Sequence, residues 1–341
     1  MLFFRRFVVV AAAACTFMFF GAPATYANYL VSLRGPRDDG PNKIVLLGND
    51  GHFIKDFVAP GGGGLHGPTG MAIGPDGNLY VANASAGANN IVKFNGQTGA
   101  TLGTFVSGLN GPTGLRYDSH DGNFYAANFG NFAGTTVSQI NTSGTVLGPF
   151  GSGHALPTSI AIDTTGNVYI GEFGLGAVNK YNPNGTLLAT GTVGATGGLS
   201  FDPTGHLLAA SVVPDTILTW DGTNANQPTL SLAIDENFVA GLIGAPPPVN
   251  LFVGGQVYLD ATHSVVYSTG LGILLEYTAG NPTPSAFANY FALDPLNGVS
   301  VGDIIFTTAV PEPPAVVLLA IGGAASLALI RRRRRTNCVA A

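Results

Sequence analysis

HGPTGMAIGPDGNLYVANASAGANNIVKFNGQTGATLGTFV, residues 66–106, is the unit from which most of the chain is built. Four short apolar runs lie in it: Met71–Ile73, Leu79–Ala82, Ile91–Phe94 and Leu102–Val106. Between them stand Gly, Asn or Pro75-Asp76-Gly77, residues that turn a chain cheaply because they accept or preset the required φ. Runs of this length, enriched in Val, Ile, Tyr and Phe, read as strands, and none is long enough for an ordinary helix. The unit is therefore expected to be a four-stranded antiparallel meander.

The unit recurs. Asn110–Gly151 begins NGPTGLRYDSHDGNFYAANFG, His154–Val193 begins HALPTSIAIDTTGNVYIGEFG, and Gly194–Ile234 begins GATGGLSFDPTGHLLAAS. A weaker copy covers Gly254–Ala292. The turn glycines Gly77, Gly122, Gly166 and Gly205 are spaced by 45, 44 and 39 residues. Four strands every 40–45 residues is propeller spacing, because each sheet can bury its faces only against its neighbours. Asn28–Val58 matches the unit from its second strand onward and lacks a first. Gly298–Asp303, GVSVGD, resembles the first-strand text GMAIGPD. The C-terminal segment is thus expected to supply the missing inner strand, which leaves no open sheet edge. The fold class is all-β, a six-bladed β-propeller of four-stranded antiparallel blades over residues 28–308. Its one irregular piece is residues 235–253 around Pro246-Pro247-Pro248, read as a surface excursion between blades five and six.

The chain has 341 residues, of which 46% are hydrophobic and only 10% charged, with 49 glycines. That is enough for one large, turn-rich domain. Both cysteines, Cys15 and Cys338, lie outside the repeats, so the body has no internal disulfide and no Cys–zinc chemistry. Residues 28–310 hold seven basic and 18 acidic residues, a formal charge of −11. So acidic a body argues against nucleic acid as a partner, since that affinity comes largely from Lys and Arg on phosphates.

Residues 1–27 read as a secretory signal peptide: Arg5 and Arg6, an apolar core from Phe7 to Phe20, then Thr25-Tyr26-Ala27, with cleavage after Ala27. The other end, residues 309–335, carries Pro311-Glu312-Pro313, an apolar run 315–330, and the cluster Arg331, Arg332, Arg333, Arg334 and Arg335. As a helix the apolar run would span roughly 24 Å, short for a bilayer but workable with thinning or snorkelling. The arginines would stay cytoplasmic and leave the propeller outside. This tail resembles the PEP-CTERM sorting signal of Gram-negative bacteria, although residues 336–341 extend past its usual end. The resemblance implies an exosortase-type processing enzyme as partner and a transient tether at the inner membrane. It also implies a final place in the cell envelope or outside the cell.

The repeats, through GMAIGPDGNLYVAN and IAIDTTGNVYIGE, resemble the NHL class and its gluconolactonase-like and streptogramin-lyase-like relatives, all six-bladed propellers. Such repeats identify a fold far better than a function. Residues just after the second strand are Asn83, Asn128, Glu172, Ser211 and Thr269. Those just before the first are Thr69, Thr113, Thr158 and Thr196. Radial repetition should bring them to one channel mouth, which His66 and His154 could also reach. In the lactonase-like relatives a central metal is held from comparable places. Asn83, Asn128 and Glu172 are a thin version of that set, so no firm cofactor is expected beyond weak calcium or another divalent ion. The other reading has the Asn and Thr side chains satisfying turn backbones, with loop histidines solvated. The Trp-Phe-Thr-Glu-like strand text of streptogramin lyases is absent. There is no phosphate loop and no Gly-x-Ser-x-Gly elbow. The sequence thus favours an exported binding or scaffold module for an extracellular polysaccharide, another surface polymer or a surface protein. A metal-dependent hydrolase or lyase at the channel mouth is the alternative.

Overall fold

A computed structural model describes residues 28–35, 41–85, 87–202, 204–213, 215–244, 253–258, 263–268, 272–278, 284–289 and 300–307. The expected signal peptide, sorting tail and C-terminal extension lie outside the described residues, as does Thr269.

Wherever the sequence alternates short apolar runs with Gly- and Asp-bearing turns, the chain forms a meander. One sheet runs Pro68–Ile73, Leu79–Asn83, Asn90–Phe94, Thr101–Ser107. The next runs Pro112–Asp118, Asn123–Asn128, Thr136–Asn141, Val146–Pro149. Then follow Pro157–Ile162, Val168–Glu172, Ala177–Tyr181, Leu187–Thr192, and Thr196–Phe201, Leu207–Val212, Asp215–Trp220, Thr229–Ala233. The last contiguous sheet is Val253–Tyr258, His263–Ser268, Ile273–Thr278, Ser285–Asn289. These five sheets come from unbroken stretches of chain. A sixth is assembled from both ends, in the order Ser300–Thr307, Asn28–Arg34, Lys43–Leu47, Phe53–Val58. The closure expected from GVSVGD is present: Asn28 pairs with Thr307, Leu33 with Val301 and Arg34 with Ser300, antiparallel.

The first strand of each sheet touches the first strand of the next, and Ser300–Thr307 touches both Val253–Tyr258 and Pro68–Ile73. Sheets repeated radially around a common channel make a β-propeller. Its core is a series of layers between neighbouring sheets. Leu30, Ile44 and Leu46 of the closing sheet pack on Met71, Leu79, Val81 and Phe94 of its neighbour. Each such side chain, fully buried, contributes on the order of 1.5–3 kcal/mol.

Of the stretch 235–253, read as an irregular excursion, residues 235–244 are described and depart from that reading. Glu236–Ile243 is an α-helix capped by Asp235, whose carboxylate accepts the Asn237 and Phe238 amides, and closed by left-handed Gly244. Val239 and Ala240 pack into the layer of Leu208, Ile217 and Ile273. Eight residues are too few for a visible helical period, and the prolines three residues on dominated the reading. The cap and the apolar pair nonetheless suffice.

Candidate functional site

The channel wall is built by a three-residue device, Pro-Thr-Gly. Where Pro68-Thr69-Gly70 and Pro112-Thr113-Gly114 enter their sheets, the register slips, between Pro68 and Met71 and between Pro112 and Gly114. Such a bulge re-aims one side chain. The re-aimed hydroxyls donate to the following sheet: Thr69 Oγ1 to Pro112 O at 2.9 Å, Thr113 Oγ1 to Thr158 O at 3.1 Å, Thr158 Oγ1 to Thr196 O at 2.9 Å. Ser32 Oγ does the same to Thr69 O at 2.9 Å. Thr196 turns back instead, to Ala177 O at 3.1 Å. Glycine follows because the strands crowd the axis. A Cβ at Gly70 would overlap the Thr113 carbonyl, and one at Gly302 the Pro68 carbonyl. The four threonines therefore do reach one channel, and their protons bind the sheets to one another.

The same wall carries an ion pair. Asp303 Oδ2 accepts the Met71 amide at 2.9 Å and Arg116 Nη1 at 3.0 Å, and Oδ1 accepts the Ile304 amide at 2.9 Å. Arg116 Nη1 also faces the Leu115 and Met71 carbonyls at 2.7 and 3.2 Å. The sequence reading used Asp303 only as part of the closing strand and did not single out Arg116. Acids and bases on different sheets carry no mutual spacing from which a pair can be read.

Asn83, Asn128 and Glu172 stand at equivalent strand ends and are buried. The Asn83 and Glu172 side chains are committed inside their own sheets, whereas Asn128 is tied there through its Nδ2 alone and its buried Oδ1 has no hydrogen-bond partner among the described residues. Asn83 Oδ1 accepts the His66 amide at 3.0 Å, and its Nδ2 donates to Gly64 O and Asn90 Oδ1, both at 2.8 Å. Asn128 Nδ2 donates to Thr136 Oγ1 and Ser138 Oγ at 3.0 and 2.9 Å. Glu172 Oε1 lies 2.6 Å from His154 Nδ1, and Oε2 accepts the Ala155 amide at 2.9 Å. His154 Nε2 faces Phe150 O at 2.8 Å. Burial pushes the His154 pKa down, yet the carboxylate and the carbonyl outweigh it and hold the imidazole above its usual value. The expectation of a solvated His154 is corrected. The stretch HALPT has one residue more than HGPT, taken up by left-handed Leu156 (φ 54°), and the imidazole is buried. The side chain of His66 is exposed. These donors do not fit the set that a lactonase-type metal needs, because the one carboxylate has both oxygens engaged. Among the described residues no three His, Cys, Asp or Glu side chains are grouped to hold a metal ion.

What the wall encloses is a cavity of about 490 Å³, lined by the four threonines, Arg34, Arg116 and Asp303. Its rim carries Phe129, Phe132 and Phe173, on loops leaving the second strands of two successive sheets. The rings meet edge to face: Phe129–Phe132 at 4.7 Å, Phe129–Phe173 at 6.0 Å and Phe132–Phe173 at 6.4 Å between centroids. Phe132 is 70% exposed and, with Asn131, adopts left-handed backbone, φ 67° and 51°. The trio was missed in the sequence. The signal was the Phe-Gly that follows both Asn128 and Glu172, Phe129-Gly130 and Phe173-Gly174.

No family model and no curated protein matches the chain. Among solved structures, it is similar to one in a crystal structure of a nidogen/laminin complex, with TM-score 0.62, 14% identity, and coverage of 84% of this chain and all of that one. A protein of unknown function from Bacteroides caccae gives TM-score 0.59 at 17% identity, again over 84% of this chain and all of that one. A streptogramin B lyase gives 0.50 at 14% identity, over 76% of this chain and 87% of that one. At such identities the likeness is one of fold: the chain shares the β-propeller architecture of proteins with different roles.

Proposed function

We propose that this chain is an exported six-bladed propeller of the NHL-like kind that binds a surface polymer, or a surface protein, at the aromatic mouth of its channel. The observation that carries this reading is Phe132. Left-handed backbone costs a residue with a Cβ roughly 1–2 kcal/mol, and its ring, 70% exposed, recovers little of that by burial. Backbone outliers of this kind gather at ligand sites, where strain is part of the arrangement. A flat apolar face beside a cavity is what a sugar ring or an aromatic side chain packs against. The alternative, a metal-dependent hydrolase or lyase, would need Glu172 to leave His154 and Ala155.

Affinity electrophoresis through gels loaded with soluble polysaccharides tests the reading, comparing the wild type with Phe132→Ala. Retardation lost in the variant supports it. Equal retardation of both overturns the mouth as the binding face, and no retardation of either removes the polymer and leaves the surface protein.

The sorting scheme belongs to the same proposal. The signal 1–27 directs export, and the tail holds the body at the inner membrane until an exosortase-type enzyme removes it. Mass spectrometry of the mature envelope protein should then find no peptide from Ala315 onward. Intact C-terminal peptides would leave a plain anchor.

A further inference from the structure

We infer that the mouth face docks on a second copy of this chain, so that two propellers meet mouth to mouth; this rests on the mouth being the binding face and names its protein partner. Strands alternate in direction along each meander, so loops that enter a first strand or leave a second strand share the mouth side. Seven such loops, 59–67, 84–89, 108–111, 129–135, 150–156, 173–176 and 193–195, hold no Asp, Glu, Lys or Arg. The turns of the opposite side carry Asp50, Asp76, Asp121, Asp163, Asp202 and Asp221. On the mouth side the described loop acids are Asp235 and Glu236, at the start of the helix and outside this arc. A body of formal charge −11 thus keeps its acids off the arc that bears the aromatic rim.

Exposed apolar side chains follow the same division. Phe132, Leu175 and Val213 leave the second strands of three successive sheets and are 70, 53 and 62% exposed. Large apolar residues grouped on an uncharged surface mark a protein-binding face, whose centre is poor in charge and rich in aromatic rings. The other exposed large apolar residues, among them Leu102, Leu147, Leu187 and Leu230, stand near the starts of outermost strands. Those starts adjoin the acidic turns, so two copies approaching there would bring their carboxylates together.

Charge and shape both point to a second copy. Like charges set against each other across an interface are strongly unfavourable. Two acidic bodies avoid that when they meet by the arc that has none. The face also complements itself. It offers exposed apolar side chains and, beside them, a cavity of about 490 Å³ whose described lining includes Ile160, Leu199, Val212 and Ile304. A contact about a twofold axis needs one patch to supply both the projecting group and the space for it. Phe132, exposed on left-handed backbone, is such a group.

Sedimentation velocity of the purified full chain over a wide concentration range tests this. A monomer–dimer equilibrium should appear and should tighten as salt is raised, because salt screens the repulsion between the acidic bodies. Phe132→Ala and Leu175→Asp should each weaken the dimer at least about tenfold, the scale on which an interface anchor acts. Leu187→Asp should leave it unchanged, although Leu187 is as exposed as Leu175, at 52%. A dimer that survives both mouth variants, that is weakened by Leu187→Asp or that loosens with salt is held by another surface, and overturns the inference. A chain that stays monomeric overturns it as well. If the monomer is still retarded by polysaccharide, and loses this in Phe132→Ala, the mouth stands with a polymer as its ligand. If the monomer instead binds phosphatidylcholine vesicles, and Leu175→Asp abolishes this, the arc docks on lipid and not on a second copy.

Discussion

His154 Nδ1 and Glu172 Oε1 lie 2.6 Å apart, with the two side chains 2% and 0% exposed. The next residue is Phe173 of the aromatic rim, so the pair fixes the base of the loop that carries it. Breaking a buried pair leaves a group desolvated and unpartnered, which typically costs about 3 kcal/mol or more. Glu172→Gln is therefore expected to lower the unfolding free energy by about 3 kcal/mol in urea titrations, and by the same amount with and without calcium. A loss confined to calcium-containing buffer would return Glu172 to the metal reading.

The same pair sets a pH dependence. In the folded protein the His154 pKa is raised above 6.5. A raised imidazole contributes stability fully below the unfolded value, where both states carry the proton. That contribution is lost as pH rises through the folded value. The stability difference between wild type and His154→Gln should be largest below about pH 6.5 and decline through the neutral range. A difference that is flat, or that grows with pH, would show that His154 is held neutral.

Much of the fold could be read because its determinants are local. Gly77 and its counterparts mark turns, and the second strands, from Leu79 to Asn83 and from Val168 to Glu172, are short apolar runs between them. Even the closing strand was visible, because Gly298–Asp303 copies a local text. Thr69, Thr113 and Thr158 were placed at the channel by repetition alone. The site proper was less legible. Arg116 and Asp303 meet across three sheets and 187 residues of chain, a separation no local pattern encodes. His154 looked like a loop histidine because its partner is 18 residues away on another element. The helix Glu236–Ile243 was hidden by its brevity.

Asp303 tests the closure. Its Oδ2 joins the last described strand to Met71 and Arg116 on the next two sheets around the ring. Asp303→Asn removes the charge that faces Arg116 and is expected to cost about 1.5–3 kcal/mol, the range for a hydrogen bond to a charged group. Combined with Arg116→Met, the losses should fall short of additive by more than about 0.5 kcal/mol, the mark of residues in one network. Deleting residues 297–308 should lower the melting temperature well beyond what a frayed end costs. Strict additivity, together with an unchanged melting temperature in the truncated chain, would mean that the ring does not depend on this strand.

The aromatic rim makes the sharpest separation of stability from binding. At φ 67° Phe132 occupies backbone that glycine adopts freely. Its ring contributes little core, because the residue is 70% exposed. Phe132→Gly relieves roughly 1–2 kcal/mol of left-handed strain and loses only the edge contacts to Phe129 and Phe173. An aromatic pair of this kind is worth about 0.5–1.5 kcal/mol. Two such pairs are lost, and the terms oppose each other, so denaturation should show a change between about 1 kcal/mol stabilising and about 2 kcal/mol destabilising. Ligand binding should nonetheless fall sharply, because the exposed face is gone. Phe173→Gly is the contrast: half-buried, with no positive φ to relieve, it should lose stability along with binding. A Phe132→Gly protein that binds as well as the wild type, or that is destabilised as much as Phe173→Gly, would make Phe132 a packing residue and remove the reason for reading this rim as a binding face.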